Sequence, residues 1–259
     1  MKRSEIEIGI NLYSVRDYCK TAEDLDKTLG RLATIGYKAV QVSGIGPIDT
    51  TTVKQLLDTH NLICCATHER IDVLSGPIAP VVEKLTTLEC DFTALGYPGN
   101  DFFNAEGVHK LCDILSRAGT GLKSAGIKLG YHNHAAEFER FTDKTFLEEI
   151  YDRVPVDVLY GEPDLHWIVR GGGCPVAWIN KLTVRLPAVH MKDFAILDGQ
   201  PVFAEVGEGN MDWDAIVPAC REAGVRWFIV EQDEPFGDRD IFDSVKMSYN
   251  NMRGMGLGQ

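Results

Sequence analysis

Short apolar runs alternate with amphipathic segments along the whole chain. The run Ile6–Leu12 comes first, and a segment that begins near Thr21 then carries leucine and isoleucine at helical spacing as far as Gly36. Most later runs, such as Trp227–Val230, are apolar throughout instead of alternating. Such runs are typical of parallel strands that are covered by helices. The pattern therefore predicts repeated strand–helix units.

Eight strands and about eight helices are predicted in this way. The predicted strands are Ile6–Leu12, Ala39–Val42, Leu62–Thr67, Phe92–Leu95, Ile127–Gly130, Val158–Asp164, Ala188–Asp193 and Trp227–Val230. The predicted helices are Thr21–Ile35, Thr51–Leu57, a segment spanning Val81–Leu88, Glu106–Ala125, one near Phe146–Ile150, Pro175–Leu182, one capped by Asp212, and Ile241–Met252.

This alternation predicts an α/β fold, a single (β/α)8 TIM barrel formed by residues 1–259. A closed barrel is the economical way to pair eight parallel strands with helices outside. No Gly-x-Gly-x-x-Gly follows the first strand, which argues against a dinucleotide-binding sheet. No linker or shift in composition divides the chain, so one domain is expected.

Composition and charge exclude several classes of function. With 44% hydrophobic and 25% charged residues, the 259-residue chain resembles an ordinary globular protein. Its net charge of −12 repels polyanions, so nucleic acid is not expected as a partner. No run approaches the length of a membrane span, and the first ten residues lack a secretory core. A cytoplasmic protein whose seven cysteines are reduced core residues is expected.

Histidine and glutamate residues are concentrated directly after the fifth predicted strand, between Tyr131 and Glu139. His132 and His134 are two positions apart, so in an extended chain they face the same side. A single histidine here would more often be a hydrogen-bonded core residue. Three later strands, however, also end in a titratable group, and His68 follows the third strand.

Four of these residues are predicted to hold a metal ion. In a barrel of this kind, the carboxyl ends of the strands form the functional face. Two imidazoles and two carboxylates that converge there could bind a divalent cation and leave positions open for substrate oxygens. The predicted ligands, from strands five to eight, are His132, Asp164, His190 and Glu231.

Motifs along nearly the whole chain resemble the xylose-isomerase-like TIM barrels of the sugar phosphate isomerase/epimerase superfamily. The Tyr-His-Asn-His-x-x-Glu-Phe motif of one branch matches Tyr131–Phe138. The other segments that carry the resemblance are Leu12–Asp17, Val189–Asp193, Val206–Gly209 with Asp212–Trp213, and Val230–Asp233.

The resemblance implies a metal-dependent enzyme. Members of the superfamily bind Mn²⁺, Mg²⁺, Co²⁺ or Zn²⁺ through Glu, Asp, His and Glu from strands five to eight. Asp164, His190 and Glu231 match the last three positions, whereas His132 stands where the superfamily has Glu. Either His132 replaces that carboxylate or Glu137 reaches back from the loop to supply it.

The implied reaction is the isomerisation or epimerisation of a sugar, keto-sugar or cyclitol through a metal-stabilised enediolate. Glu231 or Glu137 would act as the base, and Lys192 would stabilise oxyanion charge. Residues expected to contact substrate are His68, His134, Glu139 and Trp167. Trp167 could equally pack at the barrel rim, and Lys192 could be a surface lysine or a partner of Asp193.

Other functions remain open on the sequence alone. The same site would serve a lyase or dehydratase acting on an inosose or 3-keto-sugar, or the barrel could bind a sugar without catalysis. DNA repair on the same fold would need a cationic face, which the net charge of −12 opposes. Glu205 precedes the Gly207–Gly209 loop and Glu208 lies within it. Because their carboxylates would repel a phosphate group, an unphosphorylated substrate is expected. A homodimer is possible.

Overall fold

The computed structural model describes residues 7–141 and 143–258. Ile6, the first residue of the first predicted strand, lies outside those ranges, as does most of the segment on which the expected lack of a secretory signal rests. None of the helices in the described ranges combines the length and the apolarity that crossing a membrane requires.

The predicted barrel is confirmed. Within the described residues, eight parallel strands pair in the order β6-β5-β4-β3-β2-β1-β10-β7. The barrel strands are β1 (Glu7–Asn11), β2 (Ala39–Val42), β3 (Ile63–Glu69), β4 (Phe92–Leu95), β5 (Lys128–Tyr131), β6 (Leu159–Gly161), β7 (Ala188–Met191) and β10 (Trp227–Val230), and the hairpin strands are β8 (Asp193–Leu197) and β9 (Gln200–Ala204).

Helices surround this sheet and pack their apolar faces on it. The α-helices are α1 (Ala22–Ile35), α2 (Thr50–Thr59), α3 (Ile71–Ser75), α4 (Ala79–Thr87), α5 (Ala105–Ser124), α6 (Phe146–Arg153), α7 (Leu165–Arg170), α8 (Pro175–Leu182), α9 (Trp213–Glu222) and α10 (Ile241–Gly254). Short 3-10 helices occupy Leu12–Tyr18, Asn100–Phe102, Ala136–Phe138 and Thr183–Arg185.

The seam of the barrel lies between β6 and β7. There the His190 N–H donates to the Pro163 carbonyl over 3.0 Å, and Asp164 and His190 form a parallel bridge. The sixth strand was predicted to continue to Asp164 but ends at Gly161. Pro163 has no N–H to donate to a ladder, and the Asp164 side chain accepts the Trp167 N–H as the cap of α7.

The sequence analysis missed the hairpin β8–β9, which extends from the rim after β7. Its strands pair antiparallel and are joined by Asp198 and Gly199, whose φ angles are 51° and 74°. Asp-Gly between two short apolar segments is a strong signal for a tight hairpin turn. The signal was therefore present in the chain.

Small and aromatic side chains fill the barrel beneath its mouth. This inner cluster includes Ala39, Ala66, Ala188 and Ile229. Each lies two positions before a polar residue, and residues two apart on a strand face the same side. The polar residues that the strands thereby place above this floor are Gln41, His68, His190 and Glu231.

A buried carboxylate fixes the long loop that follows the hairpin. Asp193 accepts hydrogen bonds from the backbone N–H groups of Gly207, Gly209 and Met211 at 3.0, 3.3 and 3.1 Å, and from the Trp213 indole at 2.7 Å. An added Cβ at Gly209 would lie only 2.2 Å from the Asp193 carboxylate. Asp193 is therefore committed to the loop and is not the partner of Lys192.

We expect Asp193→Asn to destabilise the protein. The amide NH2 cannot accept the N–H groups that the carboxylate accepts, and each buried donor left unpaired costs about 1–3 kcal/mol. Urea unfolding followed by circular dichroism measures the loss. Asp198→Asn, in the exposed hairpin turn, is the matched control and should leave the midpoint nearly unchanged. Equal midpoints for the two variants would contradict the structural role of Asp193.

Candidate metal centre and active site

The four predicted metal ligands meet at the carboxyl ends of the strands. His132, Asp164, His190 and Glu231 are buried, and one ligand atom from each lies within 4.8 Å of the others. His132 and Glu231 directly follow β5 and β10, His190 lies within β7, and Asp164 caps α7. The set can therefore surround a single ion.

His190 is hydrogen-bonded through both ring nitrogens. Its Nδ1 lies 2.5 Å from Glu231 Oε2, and its Nε2 lies 2.7 Å from Gln41 Oε1. Burial by itself lowers the pKa of His190, but the carboxylates of Glu231 and Glu162 outweigh it and raise the pKa to about 10. In the metal-free protein His190 is therefore protonated at neutral pH.

Lys192 lies among the acidic side chains of this site. Its Nζ is 3.0 Å from Asp164 Oδ2, 2.9 Å from Asp233 Oδ2 and 3.5 Å from Glu231 Oε2. Burial lowers the pKa of this amine, but the three carboxylates outweigh it and raise the pKa above its usual range. Lys192 is therefore a buried cation, neither a surface lysine nor a partner of Asp193.

The donor set fits a divalent cation. Burial holds the pKa of His132 well below its ordinary value, so its imidazole is neutral, as a ligand must be. Among the described residues, His132 Nδ1 and Asp164 Oδ2 are buried without a hydrogen-bond partner, although Lys192 lies near the latter. Four carboxylates, those of Glu162, Asp164, Glu231 and Asp233, face two cations, Lys192 and His190, so negative charge remains in excess.

A second set of potential ligands adjoins the first. His68, His132, Glu162 and His190 also bring one ligand atom each within 4.8 Å of the others. Glu162 is fully buried at the end of β6, and its Oε2 lies 2.6 Å from His68 Nε2. Burial raises the pKa of Glu162, but His68 and His190 outweigh it and lower the pKa to about 2.

A cavity of about 880 Å³ opens above these residues. His68, His132, His134, Trp167 and Glu231 line it, so four of the predicted substrate or ligand residues and the predicted base face the same space. The apolar residues Val42, Ile45, Ile48, Val53 and Leu88 also line the cavity, together with the charged residues Glu69, Arg70, Lys84 and Asp233. A sugar-sized molecule fits such a space with its hydroxyls toward the imidazoles.

Comparisons with known proteins agree with this architecture. No protein-family model matches the chain. An inosose dehydratase from Clostridium beijerinckii is 22% identical over 246 residues, which cover 81% of this chain and 82% of the relative. A sugar phosphate isomerase/epimerase from Parabacteroides distasonis superposes with a TM-score of 0.84 at 22% identity, over 100% of this chain and 98% of that one. A D-allulose 3-epimerase from a Methylomonas species gives a TM-score of 0.70 at 14% identity, over 97% and 98%.

The fold is that of the xylose-isomerase-like TIM barrels.

Two polar residues of this xylose-isomerase-like barrel were missed in the sequence. Gln41, two positions after Ala39 on β2, donates through Nε2 to Glu162 Oε1 over 2.9 Å. Both side chains are fully buried. A charged residue directly after the apolar strand β6 was a usable signal for Glu162. Gln41 carries no charge, so no comparable signal marked it.

Two predicted residues lie outside the cavity of this xylose-isomerase-like barrel. Glu139 is exposed and does not line it. Glu137 is fully buried behind His134, where it accepts the His134 N–H over 2.8 Å and the Tyr131 hydroxyl over 3.0 Å. Glu137 therefore holds the His134 backbone in place from beneath, and neither residue faces a ligand in the cavity.

We expect Glu137 to make stability depend on pH. Burial raises its pKa to about 7, whereas an unfolded chain has about 4.3. Between these values the folded protein keeps a proton that the unfolded chain has lost, so the free energy of unfolding falls as pH rises through this window. Glu137→Gln should remove up to about 1.4 kcal/mol per pH unit of this slope. Urea titrations from pH 4 to 8 test it, and an unchanged slope would contradict the assignment.

Proposed function

We propose that the protein is an isomerase or epimerase that removes the proton next to the carbonyl of a sugar, keto-sugar or cyclitol. The observation that carries the proposal is the position of Glu231. Its carboxylate lines the cavity and at the same time contacts His190 and Lys192. A carboxylate in contact with both a bound substrate and cationic groups can take a proton where negative charge then develops.

The neighbouring side chains have complementary roles. Burial raises the pKa of Glu231, but Lys192 and His190 outweigh burial and hold the pKa well below its ordinary value, so the base is ionised. Lys192 places a positive charge beside the enediolate that proton removal creates. His68, His134 and Trp167 line the cavity and would bind or stack on substrate hydroxyls and ring faces.

We propose that a divalent ion, Mn²⁺, Mg²⁺, Co²⁺ or Zn²⁺, belongs to this site. His132 and His190 are common to both ligand sets, and Asp164 with Glu231 completes the set predicted from the sequence. When bound, such an ion supplies Lewis-acid polarisation of the substrate oxygens. The protein residues supply the orientation of the substrate, the base and the exclusion of water. A cytoplasmic location and a homodimer remain predictions.

Dehydration is the second candidate. The inosose dehydratase relative, aligned over 81% of the chain, favours it. Loss of a β-hydroxyl begins with the same proton removal, so the same residues would serve both outcomes. The two candidates differ in whether a hydroxyl leaves after the proton has been taken.

Proton NMR in D2O tests the proposal directly. Purified protein is incubated with an inosose, and separately with a panel of keto-sugars, in the presence of Mn²⁺ or Co²⁺. An isomerase or epimerase would incorporate deuterium at the carbon next to the carbonyl and form an isomer. A dehydratase would form an unsaturated product. Binding without any exchange would contradict both and favour a sugar-binding barrel that has no catalytic role.

A further inference from the structure

The cavity at the carboxyl ends of the strands is larger than a single sugar ring requires. Its volume of about 880 Å³ lies near the upper end of the range for drug-sized ligands, roughly 300–1,000 Å³. His132, His134 and Glu231 line one part of it. Five aliphatic residues line a second part, here called the side chamber: Val42, Ile45, Ile48, Val53 and Leu88. The groups that would carry out the proposed reaction therefore occupy only part of the space.

The side chamber lies on the helix side of strands β2 and β3. Val42 directly follows Gln41, and Glu69 directly follows His68. Because Gln41 and His68 face the barrel interior, the next residue of each strand faces the surrounding helices. Helices α2 and α4 contact each other over these strands, and Val53 of α2 lines the chamber. The cavity therefore extends from the mouth of the barrel past the ends of β2 and β3 toward these two helices.

Small residues stand where the two parts of the cavity meet. Ser43 and Gly96 line the cavity beside His68, whose Nδ1 lies 3.1 Å from Ser43 Oγ. An added Cβ at Gly96 would lie only 3.0 Å from His68 Nδ1, so a larger residue there would crowd the imidazole. Because Ser43 directly follows Val42, a substituent that passes Ser43 on its way from the imidazoles enters the side chamber.

Backbone contacts fix the loop between β2 and α2 that carries Ile45 and Ile48. The Gly46 N–H donates to the Cys19 carbonyl over 2.8 Å, and the Ile48 N–H donates to the Gly46 carbonyl over 2.8 Å. An added Cβ at Gly46 would lie 2.0 Å from the Lys20 carbonyl oxygen, so the loop packs directly on that backbone. A chamber wall that is already ordered lowers the entropic cost of binding a ligand.

The side chamber suits a neutral, apolar group. The charged residues beside it are paired, since Lys84 Nζ lies 2.7 Å from Glu69 Oε1 and Arg70 donates to both Asp72 oxygens over 2.9 Å. An ionic group would have to compete with these partners. A second sugar ring would turn its hydroxyls from water toward aliphatic side chains, which costs free energy. An aromatic or alkyl group would gain from the same burial.

We propose that the substrate is a keto-sugar or cyclitol that carries a neutral apolar group through an ether or glycosidic oxygen, and that the side chamber binds this group. The inference rests on the proposed function and narrows its substrate class. The ring lies beside His132, His134 and Glu231, and the substituent passes Ser43 toward Ile48. Contacts with this remote group also restrict how the ring can lie against Glu231, which favours the orientation that reacts.

Isothermal titration calorimetry with a matched pair of ligands, in the presence of Mn²⁺, tests the inference. The probes are methyl and phenyl β-glucopyranoside, which lack a carbonyl and are therefore not enolised. The phenyl glucoside should bind about tenfold more tightly or better, because its added carbons bury apolar surface in the chamber. Ile48→Trp fills the chamber and should abolish this preference. Ile114→Trp is the matched control, because Ile114 is half-buried on α5 and does not line the cavity.

The outcomes separate this inference from the proposed function. Equal affinity of the parent protein for the two glucosides, or binding of neither, would overturn the inference. A preference for the phenyl glucoside that persists in Ile48→Trp would overturn it as well, because the phenyl group would then lie elsewhere. Ile45→Trp, on the same loop, gives an independent answer if circular dichroism shows that Ile48→Trp is not folded. In each case, deuterium exchange on an unsubstituted keto-sugar would leave the proposed function standing.

Discussion

Replacing Glu231 by glutamine is expected to lower kcat by about 10²–10⁴-fold, the range that general base catalysis contributes. The amide keeps the size of the side chain but cannot take a proton from the substrate. It also removes the charge of a carboxylate that belongs to the proposed ligand set, so cation affinity should fall as well. Steady-state kinetics on the substrate identified by NMR, at saturating cation, measure kcat apart from metal loss.

The comparison between kcat and metal affinity distinguishes two roles for Glu231. If Glu231 only orients His190, activity should return to the parent level once excess cation restores occupancy. If Glu231 is the base, kcat stays low at full occupancy. Parent-like turnover in a metal-saturated Glu231→Gln protein would remove Glu231 from the reaction. Glu222→Gln provides the control variant, since its side chain is exposed and does not line the cavity.

The barrel and most helix positions followed from local patterns, whereas the short helices α3 and α7 were not predicted. α8 was predicted with the bounds Pro175–Leu182 that the structure has, because Pro at the first turn and an apolar stripe define it locally. The strand β6 was predicted to extend to Asp164 but ends at Gly161, and beyond it only an isolated parallel bridge joins Asp164 to His190. Strand ends depend on which neighbouring N–H groups are available, and that is a property of the assembled sheet.

The convergence of His132, Asp164, His190 and Glu231 could be predicted because consecutive parallel strands bring their carboxyl ends to one face. The sequence could not predict which of the buried polar side chains at this face would contact one another. Glu162 and Asp164 are two positions apart, and the sequence analysis placed only Asp164 in the site. Only the folded chain shows that one faces His68 and the other faces Lys192.

The burial of individual side chains was the second property that the sequence did not reveal. The candidates Glu137 and Glu139 lie two positions apart in one motif, yet Glu137 is fully buried and Glu139 is exposed. The short 3-10 helix Ala136–Phe138 produces this difference by turning the chain directly after His134. A period of two, which holds for strands, therefore failed where the strand had ended.

Replacing Lys192 by methionine should both lower the rate and destabilise the metal-free protein. Methionine keeps the volume but leaves Asp164 and Glu231 buried without their cation, and breaking a buried ion pair from one side costs about 3–5 kcal/mol. Loss of the ammonium also removes the positive charge next to the enediolate, so kcat should fall, while the protein should still bind a divalent cation because Lys192 is not one of the proposed ligands. Urea unfolding, kinetics and calorimetry measure the three effects on one preparation.

Divalent cations should restore part of the lost stability in Lys192→Met. With the ammonium gone, a divalent ion is the cation that can balance the carboxylates of Asp164 and Glu231. A ligand that binds only the folded state stabilises it in proportion to the logarithm of its concentration. The variant should therefore gain more in melting temperature from added Mn²⁺ than the parent protein gains. Lys181→Met is the matched control, because Lys181 is half-exposed with its carboxylate partners at 3.8 and 3.9 Å, and such pairs are worth at most about 1 kcal/mol. Equal stability of Lys192→Met and Lys181→Met, with no extra response to Mn²⁺, would show that Lys192 does not stabilise the buried carboxylates of Asp164 and Glu231.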